Sequence, residues 1–473
     1  MKHRDIFPGF FAVLLIANLA DFATTSHAAQ PAQPNFLVLV SDDQRPDTIR
    51  ALGNPIIETP HLDRLVLNGL TFTRANCAHP LCVPSRAEIL TGCLGFRNGV
   101  HSPLNKPDLA LPTWPQVMAA AGYRTYHVGK WMIAGRPSTR GYQESLGLFA
   151  SGKKSELTHP LDSAGREVTG YRGWMFQTDD RQLVPEQGVG LTPDISAKFA
   201  DAAIQFISRQ SDHPFLLQVN FTAPHDPLLD PPEWINKYPA DQMPLPKNFM
   251  EHHPFDHGNY SGRDEKLNTW PRKKSDIQRD LATYYRVISD MDAQIGRIIE
   301  ALTKHGKLDN TVIIFTSDHG LAIGSHGLMG KQNMYEHTIG VPLIMSGPGI
   351  PRNQRQDAQI YLRDLFPTTC DLANISIPKT VQGQSFKPVI EGRKKRIYEH
   401  TFGYFKDRQR MVRADRWKLI YYPHLDRYQL FDLKNDPDEL KDLTDTPDHR
   451  AMKDQLKTVL RRWQQQAKDP LLQ

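Results

Sequence analysis

The chain lacks three features, and each absence excludes a class of protein. Beyond the first thirty residues no apolar run approaches the ~20 residues a membrane-spanning helix needs, which excludes a polytopic membrane protein. A strong excess of one charge is also missing: 57 Lys and Arg against 52 Asp and Glu leave +5 over 473 residues, and no arginine-rich tract concentrates it. A nucleic-acid protein is therefore not expected. Cysteine is scarce, with four residues in all and none in the first thirty, so a lipid-anchored amino terminus is not expected either. No internal repeat is found. What is present, 39% apolar and 23% charged residues, suffices to bury a large core and excludes disorder as the main state. The length suits one large α/β domain with a smaller one, and 36 prolines with 31 glycines imply many long, shaped loops.

The first thirty residues read as targeting. Lys2, His3 and Arg4 form a basic start, Phe10 to Ala20 is apolar but too short to span a bilayer, and Ser26-His27-Ala28 resembles a small-residue cleavage site. Residues 1–28 are thus expected to be a signal peptide, leaving an exported protein, periplasmic or extracellular, with no membrane attachment after cleavage. In an oxidising compartment Cys77, Cys82, Cys93 and Cys370 permit two disulfides in three pairings. Three of them fall within seventeen residues around one motif, and no bridge is assigned.

Five short β-branched runs read as strands: Phe36–Val40, Thr125–Val128, Phe215–Asn220, Val312–Thr316 and Val341–Met345. Most are continuously apolar, as strands buried on both faces of a parallel sheet are. Helical periodicity lies between them, from Pro193 to Arg209 and from Asp280 to Lys304, with Gly306 as a C-cap. Strands alternating with helices predict an α/β sandwich with a mostly parallel sheet. From about residue 381 the pattern changes. Met411–Arg413, Trp417–Tyr422 and Tyr428–Leu433 predict an antiparallel meander, closed by a polar helix from about Pro447 to Lys468. The expected division is 1–28, a catalytic domain 29–380, and a C-terminal α+β subdomain 381–473. The basic run Arg393–Arg396 reads as a solvated turn, and the aperiodic segment His252–Lys274 as a loop with exposed histidines.

Ionisable residues follow four of the predicted strands: Asp42 and Asp43, Lys130, His225, and Asp318 with His319. Ligands of open α/β sheets bind beyond the carboxyl ends of the strands, so segments spread over nearly 280 residues converge on one edge. Any one of these residues alone is as easily a helix cap; together they predict an active site. Cys82-Val83-Pro84-Ser85-Arg86 adds a helix start, with Pro84 in the first turn and Gly92 at the end. Cys82 lies where free N–H groups favour an anion, and Arg86 one turn on.

These residues resemble the formylglycine-dependent sulfatases of the alkaline-phosphatase superfamily. Cys82-Val83-Pro84-Ser85-Arg86 with Thr91-Gly92 matches that family's signature, and Asp42-Asp43-Gln44, Thr59-Pro60-His61-Leu62-Asp63, Gly129-Lys130-Trp131, Ala223-Pro224-His225, Ser317-Asp318-His319-Gly320 and Gly330-Lys331 match further blocks in order. The resemblance implies an alkaline-phosphatase-like fold and hydrolysis of a sulfate ester, on a sulfated carbohydrate. It implies that a maturation enzyme oxidises Cys82 to formylglycine, whose hydrate attacks sulfur and forms a covalent sulfo-enzyme. Asp42, Asp43, Cys82, Asp318 and His319 would surround one divalent cation, calcium by the oxygen-rich set. Arg86, Lys130 and Lys331 would neutralise the transferred group, and His225 would protonate the leaving oxygen. Three aspartates, a dication and three cations leave the site near +2 against a sulfate monoester and an alkoxide.

One position departs from the family's Gly-Lys-Trp-His: Met132 follows Trp131. The missing histidine is the base expected to release sulfate, and His127 should face away from Lys130 on its strand. The residue replacing that base is unassigned. A phosphate or phosphonate esterase of the same superfamily, or a non-catalytic binder of sulfated glycans, are the competing readings. Substrate specificity is expected in the loops Arg136–Gly173 and Met243–Arg272.

Overall fold

The computed structural model describes residues 33–472, apart from 102–107, 109 and 153–155, together with Met1, His3 and Gly9. The expected signal peptide lies outside the described residues. Gln33–Gln473 forms one unit, built on a ten-stranded sheet. Five parallel strands make its centre: β1 (Asn35–Ser41), β2 (Arg124–Lys130), β3 (Glu144–Ser151), β4 (Phe215–Asn220) and β5 (Thr311–Ser317), in the order β5-β1-β4-β2-β3. Four of the five expected strands lie in this parallel centre, each within a residue or two of its predicted limits, and β3 joins them without having been expected. The fold is a mixed α/β sandwich with a small antiparallel sheet beside it, as expected.

Side-chain alternation explains the two layers. Leu37, Leu39, Leu217, Val219, Ile313 and Phe315 face one way, onto the helices α2 (Ile195–Ile207) and α3 (Lys274–Lys304). Phe36, Val38, Val40, Leu216, Val312 and Ile314 face the other, onto Trp114, Met118, Phe366 and Cys370. With both faces covered, polar function is left to the strand ends. The register settles which ends meet: Ser41 lies beside Ser317, and both Val40 and Gly129 beside Asn220.

The fifth expected strand, Val341–Met345, divides. Gly340–Val341 joins a separate three-stranded sheet, while Leu343–Ser346 enters the large sheet antiparallel to β5. Pro342 sits between them, without the N–H that a continuous ladder would require. The C-terminal meander has four strands, Thr401–Phe405, Gln409–Arg413, Trp417–Tyr422 and Arg427–Asp432, the first of which the periodicity did not reveal. The helix Arg450–Ala467 covers one face through Leu456 and Leu460. From the other face Met411, Ile420, Tyr422 and Phe431 enter the main core, so apolar packing is continuous from residue 36 to residue 431.

One open question is answered and one expectation is corrected. All four cysteines are buried and free, so no bridge forms among them. In the segment 252–274, His253 and His257 are buried at 4% and 1% exposure, because this polar loop is folded under the meander. His253 Nε2 lies 3.0 Å from the Tyr335 hydroxyl, and His326 stacks on the same ring at 3.9 Å. Burial holds His253 and His326 down at about 4, although each has a backbone carbonyl, of Phe255 and Glu439, that favours the charged form.

The sign of this effect is definite. Neutral in the fold but ordinary at 6.5 when unfolded, these histidines leave stability intact above pH 6.5 and withdraw it as pH falls toward 4, by on the order of 3 kcal/mol each at most. The urea midpoint is therefore expected to drop between pH 7 and pH 5. His326→Phe, which keeps the stack on Tyr335, should flatten that slope.

Candidate active site

The site lies where β1, β2, β4 and β5 end. Asp42 and Asp43 follow β1, Lys130 closes β2, His225 lies just past β4, and Asp318 and His319 follow β5. Cys82 opens the helix α1 (Cys82–Thr91), which ends at Gly92 in the left-handed conformation, as the signature predicts. The Ser85 hydroxyl donates to the Asp318 carbonyl at 2.7 Å and ties that helix start to β5. All nine predicted residues converge, each 8% exposed or less.

Cys82 Sγ lies 3.4 Å from Asp42 Oδ1 and 3.3 Å from His319 Nε2. Arg86 Nε donates to Asp318 Oδ2 at 2.9 Å, and its Nη2 is 3.8 Å from Asp42 Oδ1. Lys130 donates to Asp42 Oδ2. Lys331 reaches both oxygens of Asp43 at 2.9 Å and His225 Nε2 at 2.8 Å. His319 Nδ1 is 3.2 Å from Asp43 Oδ1. Asp42, Asp43, Cys82 and His319 each offer a ligand atom within 4.8 Å of the others. Asp318 stands at the rim of that group, its Oδ1 3.6 Å from His319 Nε2, with Arg86 on its other oxygen.

Carboxylates buried this deeply need compensating charge. Burial would raise the Asp42 carboxyl, but Lys130, His225, Arg86 and Lys331 outweigh it and hold the group well below the carboxylate range. Burial and Asp42 also push the Cys82 thiol up, yet Lys130 and Lys331 bring it down to about 7. His225 moves the other way: Asp43 overcomes the burial cost and raises it well above its ordinary value. Arg86 Nη1 and Nη2 are buried with no hydrogen-bond partner among the described residues. Two orphaned guanidinium donors beside a helix N-terminus and two ammoniums call for an anion.

Two backbone features hold the geometry. Asp43 sits at φ +70, a region L-residues avoid, pinned by the Tyr284 hydroxyl on its carbonyl at 2.6 Å and by Asp318 Oδ1 on its N–H at 3.3 Å. Gly129, at φ +91, lets β2 press against β4: a Cβ there would lie 2.1 Å from the Asn220 carbonyl. His127 has its Nε2 3.1 Å from Asn220 Nδ2 and its ring edge-on to Trp131 and Tyr142; burial lowers it to about 3. Met132 is half-buried.

Sequence reasoning missed several contributors. Tyr171 donates to Asp42 Oδ2 at 2.6 Å, and its ring lies beneath Lys130 and edge-on to His225. Asp226 lies against His225, and Arg263 grips Asp226. Tyr171 and Arg263 come from the two loops expected to set specificity, but nothing in their spacing singles them out. Asp226 carried the one available signal, its place beside His225 in a matched block.

A charged-group transfer site on the strand ends of an α/β sandwich defines a hydrolase of anionic esters. The comparisons make this specific. The family described as Sulfatase matches residues 34–375, and the N-sulphoglucosamine sulphohydrolase C-terminal family matches residues 324–466. The chain belongs to the sulfatase family and is a sulfuric ester hydrolase. An arylsulfatase of Clostridium perfringens is 29% identical over 463 residues, 90% of this chain and 94% of that protein. An N-acetylglucosamine-6-O-sulfatase of Bacteroides thetaiotaomicron is 25% identical over 515 residues, 92% and 87% of the two chains. Among solved structures, BT4656 in complex with its substrate D-glucosamine-2-N,6-O-disulfate superposes with a TM-score of 0.72 at 24% identity, covering 93% of this chain and 99% of that one.

Gly129→Ala should lose about 3 kcal/mol of stability, since the new Cβ must displace Asn220 backbone in an unfavourable conformation. Denaturant titration checks this, and a loss below ~1 kcal/mol would mean that β2 and β4 can separate without cost.

Proposed function

We propose that the protein removes sulfate from a sulfated carbohydrate, with Cys82, once oxidised to formylglycine by a maturation enzyme, as the nucleophilic position. The observation that carries this reading is the placement of Cys82 Sγ at a helix N-terminus, between Asp42 and His319 and beside the orphaned nitrogens of Arg86. The hydrate of formylglycine supplies a hydroxyl for attack and a second that releases the product, replacing one difficult displacement with two easier ones. The carbohydrate class is supported by the substrates of two similar proteins, an N-acetylglucosamine-6-O-sulfatase and the protein in complex with D-glucosamine-2-N,6-O-disulfate.

Each remaining group has a stated task. Arg86 directs two free donors at the sulfate oxygens, and Lys130 and Lys331 hold positive charge where the negative charge that develops as the S–O bond breaks must be neutralised. His225 delivers a proton from Nε2 to the departing sugar oxygen. Asp42, Asp43, Asp318 and His319, with the residue at position 82, would hold one divalent cation; three buried carboxylates fit a hard ion, and calcium fits their oxygen-rich set. Bound there, the ion would add positive charge opposite the sulfate oxygens. With Met132 in place of a base, the step that frees sulfate is the slower one. Export, with residues 1–28 as signal peptide and 381–473 as a C-terminal subdomain, completes the reading.

Co-production with a formylglycine-generating enzyme should convert the Cys82 thiol to an aldehyde detectable by peptide mass, and Cys82→Ala should abolish turnover of 4-nitrophenyl sulfate. An unmodified thiol in a fully active preparation would overturn the assignment. A second prediction concerns Met132. If release of sulfate limits the rate, Met132→His should raise steady-state kcat by about tenfold or more, within the usual worth of a positioned base. An unchanged kcat would place the slow step elsewhere.

A further inference from the structure

Three consecutive residues of a loop far from the signature motifs tie together the two segments that carry His225 and Lys331. Arg263 reaches Asp226, the neighbour of His225, with two parallel bonds of 2.8 Å from Nη1 and Nη2. Asp264 Oδ2 accepts from the Gln332 side chain, the neighbour of Lys331, at 2.6 Å. Glu265 accepts the backbone N–H groups of Met329 at 3.0 Å and Gly330 at 2.9 Å, immediately before Lys331. Arg272 in turn holds Glu265 at 2.6 Å, and both side chains are at most 1% exposed. Gly330 leaves the room this needs, since a Cβ there would lie 2.9 Å from the Asp264 Cβ and from Glu265 Oε1.

Asp226 is the point of contact with the chemistry. His225 Nδ1 faces two acceptors, the Asp226 carbonyl at 2.6 Å and Asp226 Oδ1 at 3.0 Å. Nδ1 therefore carries its hydrogen toward Asp226, and Nε2 points at Lys331 and the site. The edge of Tyr171, with ring centroids 4.8 Å apart, closes the remaining side of the imidazole. The bidentate grip of Arg263 immobilises the Asp226 carboxylate and, through it, the carbonyl that also orients the ring.

We infer that Asp226 and Arg263 are positioning residues for His225, and that Arg263-Asp264-Glu265 is a clasp holding the proton donor and Lys331 in register for departure of the sugar oxygen. This rests on the sulfatase reading with His225 as donor. Neither Arg263 nor Asp226 touches the reacting atoms; both act through the imidazole. A misdirected donor harms most those esters whose leaving oxygen depends most on protonation.

The test compares aryl and alkyl sulfates of graded leaving-group acidity, using the matured full-length enzyme. Asp226→Asn, which can accept only one of the two guanidinium bonds, and Arg263→Ala should cost 4-nitrophenyl sulfate less than ~5-fold in kcat. They should cost a sugar or alkyl sulfate ~100-fold, within the range a positioned acid supplies. Arg263→Lys, which keeps the charge and loses the fork, should fall between, with the same dependence on leaving group. Lys266→Ala, on the exposed side of the same loop, should match the wild type on every ester. Melting temperatures verify that each variant is folded, and Arg263→Lys carries the test if Asp226→Asn does not fold. An equal loss on all esters, or no loss on any, overturns the inference while leaving the sulfatase reading intact. A wild-type enzyme inactive on every sulfate ester defeats the reading itself.

Discussion

Three aspartates lie fully buried at the ends of two adjacent strands, and the rest of the site is a response to that burial. Asp42, Asp43 and Asp318 are inaccessible to water, and the register that sets Ser41 beside Ser317 forces them together. Such carboxylates persist only when cations and donors replace the lost hydration. Lys130 and Tyr171 cover Asp42, Lys331 covers Asp43, and Arg86 covers Asp318. These pairs contribute little net stability, because desolvation offsets most of the Coulomb gain. Their value is that the positive charge is already fixed in place when an anion arrives.

The same arrangement explains the backbone. Asp42 and Asp43 must diverge within one residue, toward Lys130 on one side and Lys331 on the other. That divergence needs the φ of +70 at Asp43, held by Tyr284 from α3. At β2 the compensation is a glycine, since Lys130 reaches Asp42 only if Gly129 lets the two strands approach. Strain at one site and an absent side chain at the other are two solutions to one crowding problem.

What the sequence made legible follows from range. Four of the five central strands, α1 and the nine converging residues each declare themselves in a few consecutive positions, as an apolar run, a proline-led turn or a strand-end charge; β3 does not. Tyr171 and Arg263 do not, because each acts over more than 35 residues of chain separation and belongs to a loop without periodicity. The histidines of 252–274 misled for a related reason: polarity argues for solvent, but it was the meander, some 150 residues later, that buried them. Pro342 was visible in the sequence, yet its effect depended on two different sheets meeting there.

Met132 bears on how this site divides its work. Arg86, Lys130 and Lys331, the groups proposed to bind the anion, converge on one site, and His225, the proposed proton donor, is held by Asp226. Met132, at the position proposed to assist product release, carries a thioether, which can neither accept nor give a proton. His127 is a poor substitute, since burial lowers its basicity and its ring is engaged with Asn220 and packed on Trp131 and Tyr142. On the proposed reading, groups for attack on sulfur are thus present while one for the second step is not. On that reading the enzyme would commit its binding energy to the first transition state and leave release of sulfate to the electrostatics it already has.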